Sequence, residues 1–174
     1  YLEEAAELGA RITCLPELYP GPAGLAVDFD ASELYDAAKR LDMYVIRGKR
    51  EPAENGKFHI CVELIGRDGS SVGTYRRTTP TGPYIYFDID VWNFDYEPGD
   101  QLPVFDTEYG KIGLLVCSEV YMPELSRVLA LKGAEIVFYP AGGLINELIP
   151  TWRTMIQARA IENLMVTAAS QNLY

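Results

Sequence analysis

The chain holds one histidine, His59, among 174 residues. A Ser-His-Asp or Cys-His hydrolase would have to use it, yet no motif surrounds it in "KFHICVEL". Alternation along that segment makes His59 a half-buried structural residue on one face of a strand. Cysteine is nearly as scarce. Cys14, Cys61 and Cys117 lie far apart, are odd in number and form no CxxC pair. One histidine and scattered cysteines leave no ordinary zinc site. The same pattern favours a reducing compartment over a disulfide framework, so a cytoplasmic protein is expected. Neither GxGxxG nor GxxxxGK(S/T) occurs. The acidic stretches "DFD" and "DIDVWNFD" lack the glycine that a calcium loop needs at its sixth position. No run of eighteen apolar residues exists, so no transmembrane helix is expected. Basic residues are outnumbered, with a net charge of -10. That balance argues against nucleic acid or an anionic membrane as the partner.

What is present is an ordinary globular composition, 48% hydrophobic and 23% charged, at a length that fits one domain over residues 1–174. Apolar spacing predicts helices over 2–9, 30–41, 123–134 and 149–164. Asp30 or Ser32 is the N-cap candidate of the second, and Gly9 and Gly133 are stops. Strands are expected over 11–18, 43–51 and 135–140 and in "MVTAASQ". Two hairpins are expected, one over 57–77 around "RDGS" and one in "LPVFDTEYGKIGLLVC" around "EYGK". Residues 78–101 show no steady period and read as a long ordered loop. Hairpins beside strand–helix–strand segments predict a layered α/β fold with mixed sheets. The first helix lacks a cap and "VTAASQNLY" stops at a strand terminus, so a partial domain is expected.

With histidine and metals set aside, carboxylates, cysteine and basic residues carry the chemistry. Glu17 follows an apolar strand and a proline in "CLPEL". Arg76 and Arg77 end a strand in "YRRTTP". Cys117 ends the apolar run of "GKIGLLVCSEVYMPE". Strand ends of this kind gather at one rim of an open α/β sheet, where ligands bind. A carboxylate can take the proton of a thiol whose ordinary pKa is about 8.5, and a cation favours the thiolate. Taken singly, Cys117 is equally a small buried hydrophobe, Glu17 a cap or surface acid, and "YRR" a solvated strand end.

The ordered set of blocks resembles the nitrilase superfamily, the carbon–nitrogen hydrolases, over nearly the whole chain. "GARITCLPEL" is similar to the strand with the catalytic glutamate, "GTYRRTTP" to the Y-R-K segment, and "PGDQLPVFDTEYGKIGLLVCSEVYMPE" to the nucleophile block. "LALKGAEIVFYPAGG" and "QARAIENLMVTAASQN" match the blocks that follow. The resemblance implies an α-β-β-α sandwich, assembled as a homo-oligomer, with no metal or organic cofactor. It implies hydrolysis of a small-molecule amide, carbamoyl or nitrile C–N bond through a cysteine thioester. Glu17 is then general base and acid, and Cys117 the nucleophile. The Ser118 N–H supports the oxyanion, and Glu119 braces the site.

Two departures stand out. The family's catalytic lysine falls on Arg77, which keeps the charge but is bulkier and forked. A second glutamate of the family has only Asp90, Asp95 and Glu97 as candidates. Arg77 and the partial domain motivate a second function, a silent homologue acting as a binding or assembly subunit. Trp152, Ile156 and Ile161 are expected to pack into the core or an interface, with Trp152 alternatively edging the pocket. Tyr121 is placed in the pocket wall, and Tyr84 and Trp92 over it.

Overall fold

A computed structural model describes residues 1–17, 30–79, 96–142 and 149–171. The first half forms a four-stranded sheet in the order β1 (Ile12–Cys14), β2 (Tyr44–Pro52), β3 (Phe58–Ile65) and β4 (Ser71–Arg76). β1 runs parallel to β2, and the other pairs are antiparallel. The second half forms another four-stranded sheet, in the order β5 (Val104–Thr107), β6 (Gly110–Leu114), β7 (Ile136–Ala141) and β8 (Val166–Gln171). Here β5 and β6 form the hairpin, and β6, β7 and β8 are parallel. The helices are α1 (Leu2–Glu7), α2 (Ser32–Arg40), α3 (Pro123–Leu131) and α4 (Ile149–Asn163).

Local chemistry explains most boundaries. At the first hairpin, Gly69 takes φ +77° and Asp68 Oδ1 accepts the Ser70 N–H at 2.9 Å. α2 begins at Ser32, two residues after its first cap candidate, Asp30. Ala31 holds the N-cap position, and Asp30 reaches forward to accept the Ser32 N–H at 2.9 Å. Gly133, at φ +94°, ends the turn after α3. The strand expected over 11–18 is three residues long. Leu15 still bonds Ile46 O at 2.8 Å, and then Pro16 has no N–H to continue the ladder.

Alternation sorts each sheet into two faces. Tyr44, Ile46, Val62, Leu64 and Tyr75 face inward and join Ile112, Leu114 and Phe138 in the main core. The sheets approach closely at Gly73, where a Cβ would lie 2.3 Å from the Phe105 ring. On the outer face, Val45 and Ile65 pack with Leu2, Ala37 and Ala38 of α1 and α2. Beyond β7, Tyr139 meets Ser126 of α3 at 2.7 Å, and Leu129 lies over Gly113. The result is the expected α-β-β-α sandwich. In α4, Trp152 is buried and Ile156 partly so, whereas Ile161, expected in the core or an interface, is 75% exposed on this chain and so lies outside the core.

The outer face of the first sheet also carries a buried ionic cluster. Glu63 accepts Tyr35 Oη at 2.9 Å, Ser71 Oγ at 2.7 Å and Arg47 Nε at 2.9 Å, with Lys49 Nζ at 3.2 Å. Burial works to raise its carboxyl, but the Ser71 hydroxyl and the charges of Lys49 and Arg47 prevail and hold it below the usual 4.5. This stabilisation is complete above pH 4.5 and is lost as the pH falls through the folded value. Glu63→Gln leaves the buried Arg47 without its carboxylate, while Lys49 keeps Glu51 at 2.9 Å, and is expected to cost about 3 kcal/mol at neutral pH. Urea unfolding of both proteins across pH checks this: the gap between them narrows below pH 4.5.

Candidate active site

Three chain segments meet where the two sheets face each other. The first leaves β1. After Pro16, the Glu17 N–H reaches the other sheet and donates to Ala141 O at 3.3 Å. Gly48 of β2 makes room, since a Cβ there would lie 2.1 Å from Glu17 O. The second segment extends β4. Arg77 N donates to Ile60 O at 2.8 Å, and its own carbonyl accepts Gly99 N at 2.8 Å. Tyr75 and Arg77 therefore point inward, while Arg76 turns outward to Glu51 at 2.9 Å. The "RR" doublet is split by the pleat into one buried and one surface cation.

The third segment corrects the reading of Cys117 as a strand's last residue. β6 ends at Leu114, and Cys117 opens a 3-10 turn, Cys117–Tyr121, with φ +45°. A non-glycine residue in that region is strained and persists only where its surroundings hold it. Glu119 does the holding. Its Oε2 accepts Val116 N at 2.8 Å. Its Oε1 accepts Tyr75 Oη at 2.7 Å, Thr78 N at 3.0 Å and Thr79 Oγ1 at 3.2 Å. From behind, Arg159 of α4 donates Nε to Val120 O at 3.0 Å.

These constraints bring Glu17, Arg77 and Cys117 together. The Cys117 thiol and the Glu17 carboxyl lie side by side, each acting on the other's titration. Arg77 Nη1 lies 4.0 Å from Glu17 Oε1, Nη2 donates to Ser118 Oγ, and Nε donates to Thr79 O at 2.8 Å. Burial pushes the thiol up to about 11, with Glu17 adding to the rise; Arg77 and the N–H groups of Gly142 and Ser118 oppose it. Burial also raises Glu17, against the pull of Arg77. Desolvation of Arg77 is outweighed by Glu119, Tyr96 and Glu17, which keep it charged. The site is therefore a neutral thiol next to a proton acceptor and a permanent cation. Such a set can pass a proton and form a sulfur–carbon bond as one step. Among the described residues, no three His, Cys, Asp or Glu side chains gather as metal ligands.

Other sequence candidates fall elsewhere. Ser118 is half-buried against Arg77, and Tyr121 is half-buried against the main core. Trp152 is part of that core, and its Nε1 has no hydrogen-bond partner among the described residues. Asp90, Asp95, Tyr84 and Trp92 lie outside the described residues. Glu97 is exposed, with its backbone bonded to Phe58 O and His59 Nδ1, so it does not join the cluster. Its neighbour Tyr96 does. Tyr96, Thr79, Tyr75 and Arg159 were not singled out from sequence. Tyr75 had a usable signal, as it lies two residues before Arg77 on the same strand face. Gly48 inside a β-rich segment was another.

Glu119→Gln keeps the volume but replaces one acceptor oxygen with a donor among groups that all donate. It is expected to lower stability by about 3 kcal/mol. Chemical denaturation measures this, and an unchanged midpoint would show that Glu119 does not hold the turn.

A sequence model described as carbon-nitrogen hydrolase matches residues 1–173. Omega-amidase NIT2-B of Xenopus laevis is 29% identical over 97% of this chain and 65% of its own length; omega-amidase NIT2 of Homo sapiens is 27% identical over 98% and 65%. The chain thus spans 65% of the length of these curated relatives. Among solved structures, a carbon-nitrogen hydrolase from Helicobacter pylori G27 superposes with TM-score 0.79 at 29% identity, over 99% of this chain and 66% of that one. A cysteine-to-serine mutant of the Nesterenkonia AN1 amidase, from the nitrilase superfamily, gives TM-score 0.81 at 25% identity, over 98% and 67%. With the whole described architecture and the matched span in agreement, the chain belongs to the carbon–nitrogen hydrolase family.

Proposed function

We propose that this chain carries the centre of an amidase that hydrolyses small amides through a thioester on Cys117. The observation that carries the reading is Arg77, 4.0 Å from the Glu17 carboxylate and bonded to Ser118 next to Cys117. The relatives named omega-amidase favour an amide over a nitrile or carbamoyl substrate.

Glu17 takes the thiol proton as Sγ attacks the amide carbon. The charge that builds on the oxygen is met by Arg77 and the Ser118 N–H. The carbon–nitrogen bond then breaks, and Glu17 returns the proton to the departing ammonia. Water, deprotonated by Glu17, attacks the thioester carbon and releases the acid and the free thiol. Amide and water become acid and ammonia, and the enzyme ends as it began. Burial keeps Glu17 basic enough for this traffic, because its raised pKa brings proton acceptance nearer to neutrality. Glu119 takes no proton in the scheme; its role is the bracing described above. Tyr121 and Trp152 are kept as the proposed pocket wall on the ground that both join the core cluster against which Cys117 packs.

A second reading, a silent homologue that binds without turnover, draws on Arg77. Its Nε and Nη2 already serve Thr79 and Ser118, which leaves fewer donors for an oxyanion. Incubation of the full-length protein with small amides and nitriles, followed by mass spectrometry, separates the two. The amidase reading expects an acyl adduct on the Cys117 peptide, ammonia release, and loss of both in Cys117→Ala. Glu17→Gln is expected to reduce kcat by about a thousandfold. The acid limb of kcat/KM should fall as pH drops through the raised Glu17 pKa, above 4.5. No adduct and no ammonia with any substrate would favour the silent homologue. Arg77→Lys is informative in either case: activity appearing only in that variant would mark the native cation as impairing.

A further inference from the structure

Arg77 is buried, and its guanidinium plane has to be set by the groups packed around it. The segment after the long loop supplies it. Glu97 N bonds Phe58 O at 2.9 Å and Gly99 N bonds Arg77 O at 2.8 Å, which lays residues 97–99 along the end of the first sheet. Gly99 permits this, since a Cβ there would lie 2.5 Å from Arg76 O. Tyr96 is thereby delivered to the interior, where it is 2% exposed. Its hydroxyl donates to Thr79 O, the same carbonyl oxygen that accepts Arg77 Nε at 2.8 Å. Arg77 also hydrogen-bonds the Tyr96 side chain.

We propose that Tyr96 is a positioning residue for Arg77: the phenol and the guanidinium share the Thr79 carbonyl, and this shared acceptor aims the cation at Cys117 and Glu17. The proposal rests on the amidase reading for its catalytic meaning, but its geometry stands without turnover. A carbonyl oxygen has two lone pairs, so it can hold both donors in one plane. A planar fork bonded at Nε and Nη2 keeps no rotational freedom, and Thr79 and Ser118 are those two anchors. Burial pushes the phenol up to about 12, against the pull of Arg77, so it remains a donor throughout the working range. Thr79 is itself tied through Oγ1 to Glu119 at 3.2 Å, which links Tyr96 to the nucleophile turn.

Tyr96→Phe keeps the buried ring and removes only the hydroxyl. The first readout is the rate at which iodoacetamide alkylates Cys117 at pH 8, followed on the Cys117 peptide by mass spectrometry. A misaimed Arg77 stabilises the thiolate less, so the rate is expected to fall about threefold to tenfold, up to one pKa unit of thiol shift. The second readout is the same substitution in an Arg77→Lys background, where the effect should vanish because the shared fork is gone. The third is turnover of a small amide, where kcat should drop with KM nearly unchanged. An alkylation rate equal to the parent's, or an equal loss in both backgrounds, would overturn the positioning role. Absence of turnover in the parent, with the alkylation coupling intact, would overturn the amidase reading alone.

Discussion

The Glu119 carboxylate accepts hydrogen bonds from groups at the ends of both sheets. Tyr75, Thr78 and Thr79 belong to the end of the first sheet, and Val116 to the second. A buried anion is tolerable only when its oxygens are satisfied in this way. That requirement makes the carboxylate a fastener between the sheets at the point where the chemistry sits. It also pays the strain of Cys117, whose positive φ follows from the tight turn that Glu119 closes.

The charge balance of the site follows from the same arrangement. Glu119 is the largest influence keeping the buried guanidinium of Arg77 charged. Arg77 in turn opposes the rise of both Glu17 and Cys117. Thiol and carboxyl are each lifted by burial, so neither rests as a fully solvated ion would. The resting site stores its proton on sulfur, next to the group that removes it. Rigidity comes from the backbone: Glu17 is tied to Ala141 across the sheets, and Arg77 is bonded on both sides to Ile60 and Gly99.

Much of this was legible from residue order. Alternation and turn chemistry gave the two hairpins, and the ordered blocks around Glu17, Arg77 and Cys117 gave the family and the sandwich. The errors have local causes. Cys117 looked like a strand's last residue because "IGLLVC" is uniformly apolar, which periodicity cannot divide into strand and turn. Of the two places expected for Ile161, core or interface, its 75% exposure on this chain removes the core; an apolar residue in a helix says nothing of which face it occupies. Glu97 was weighed as an acid of the site for its charge, while the buried residue beside it was Tyr96.

The sequence by itself determined which groups exist to do the work: a single histidine without a motif, a thiol at the end of an apolar run, and an arginine where a lysine was expected. It determined the elements too, since their signals lie within a few residues. Only the tertiary structure decided that Glu17, Arg77 and Cys117 share one site. Their meeting depends on two sheets packing face to face and on contacts between segments tens of residues apart, such as Tyr96 with Thr79 and Glu119 with Tyr75. Local propensity carries no information about such pairings; the packing of the sandwich creates them.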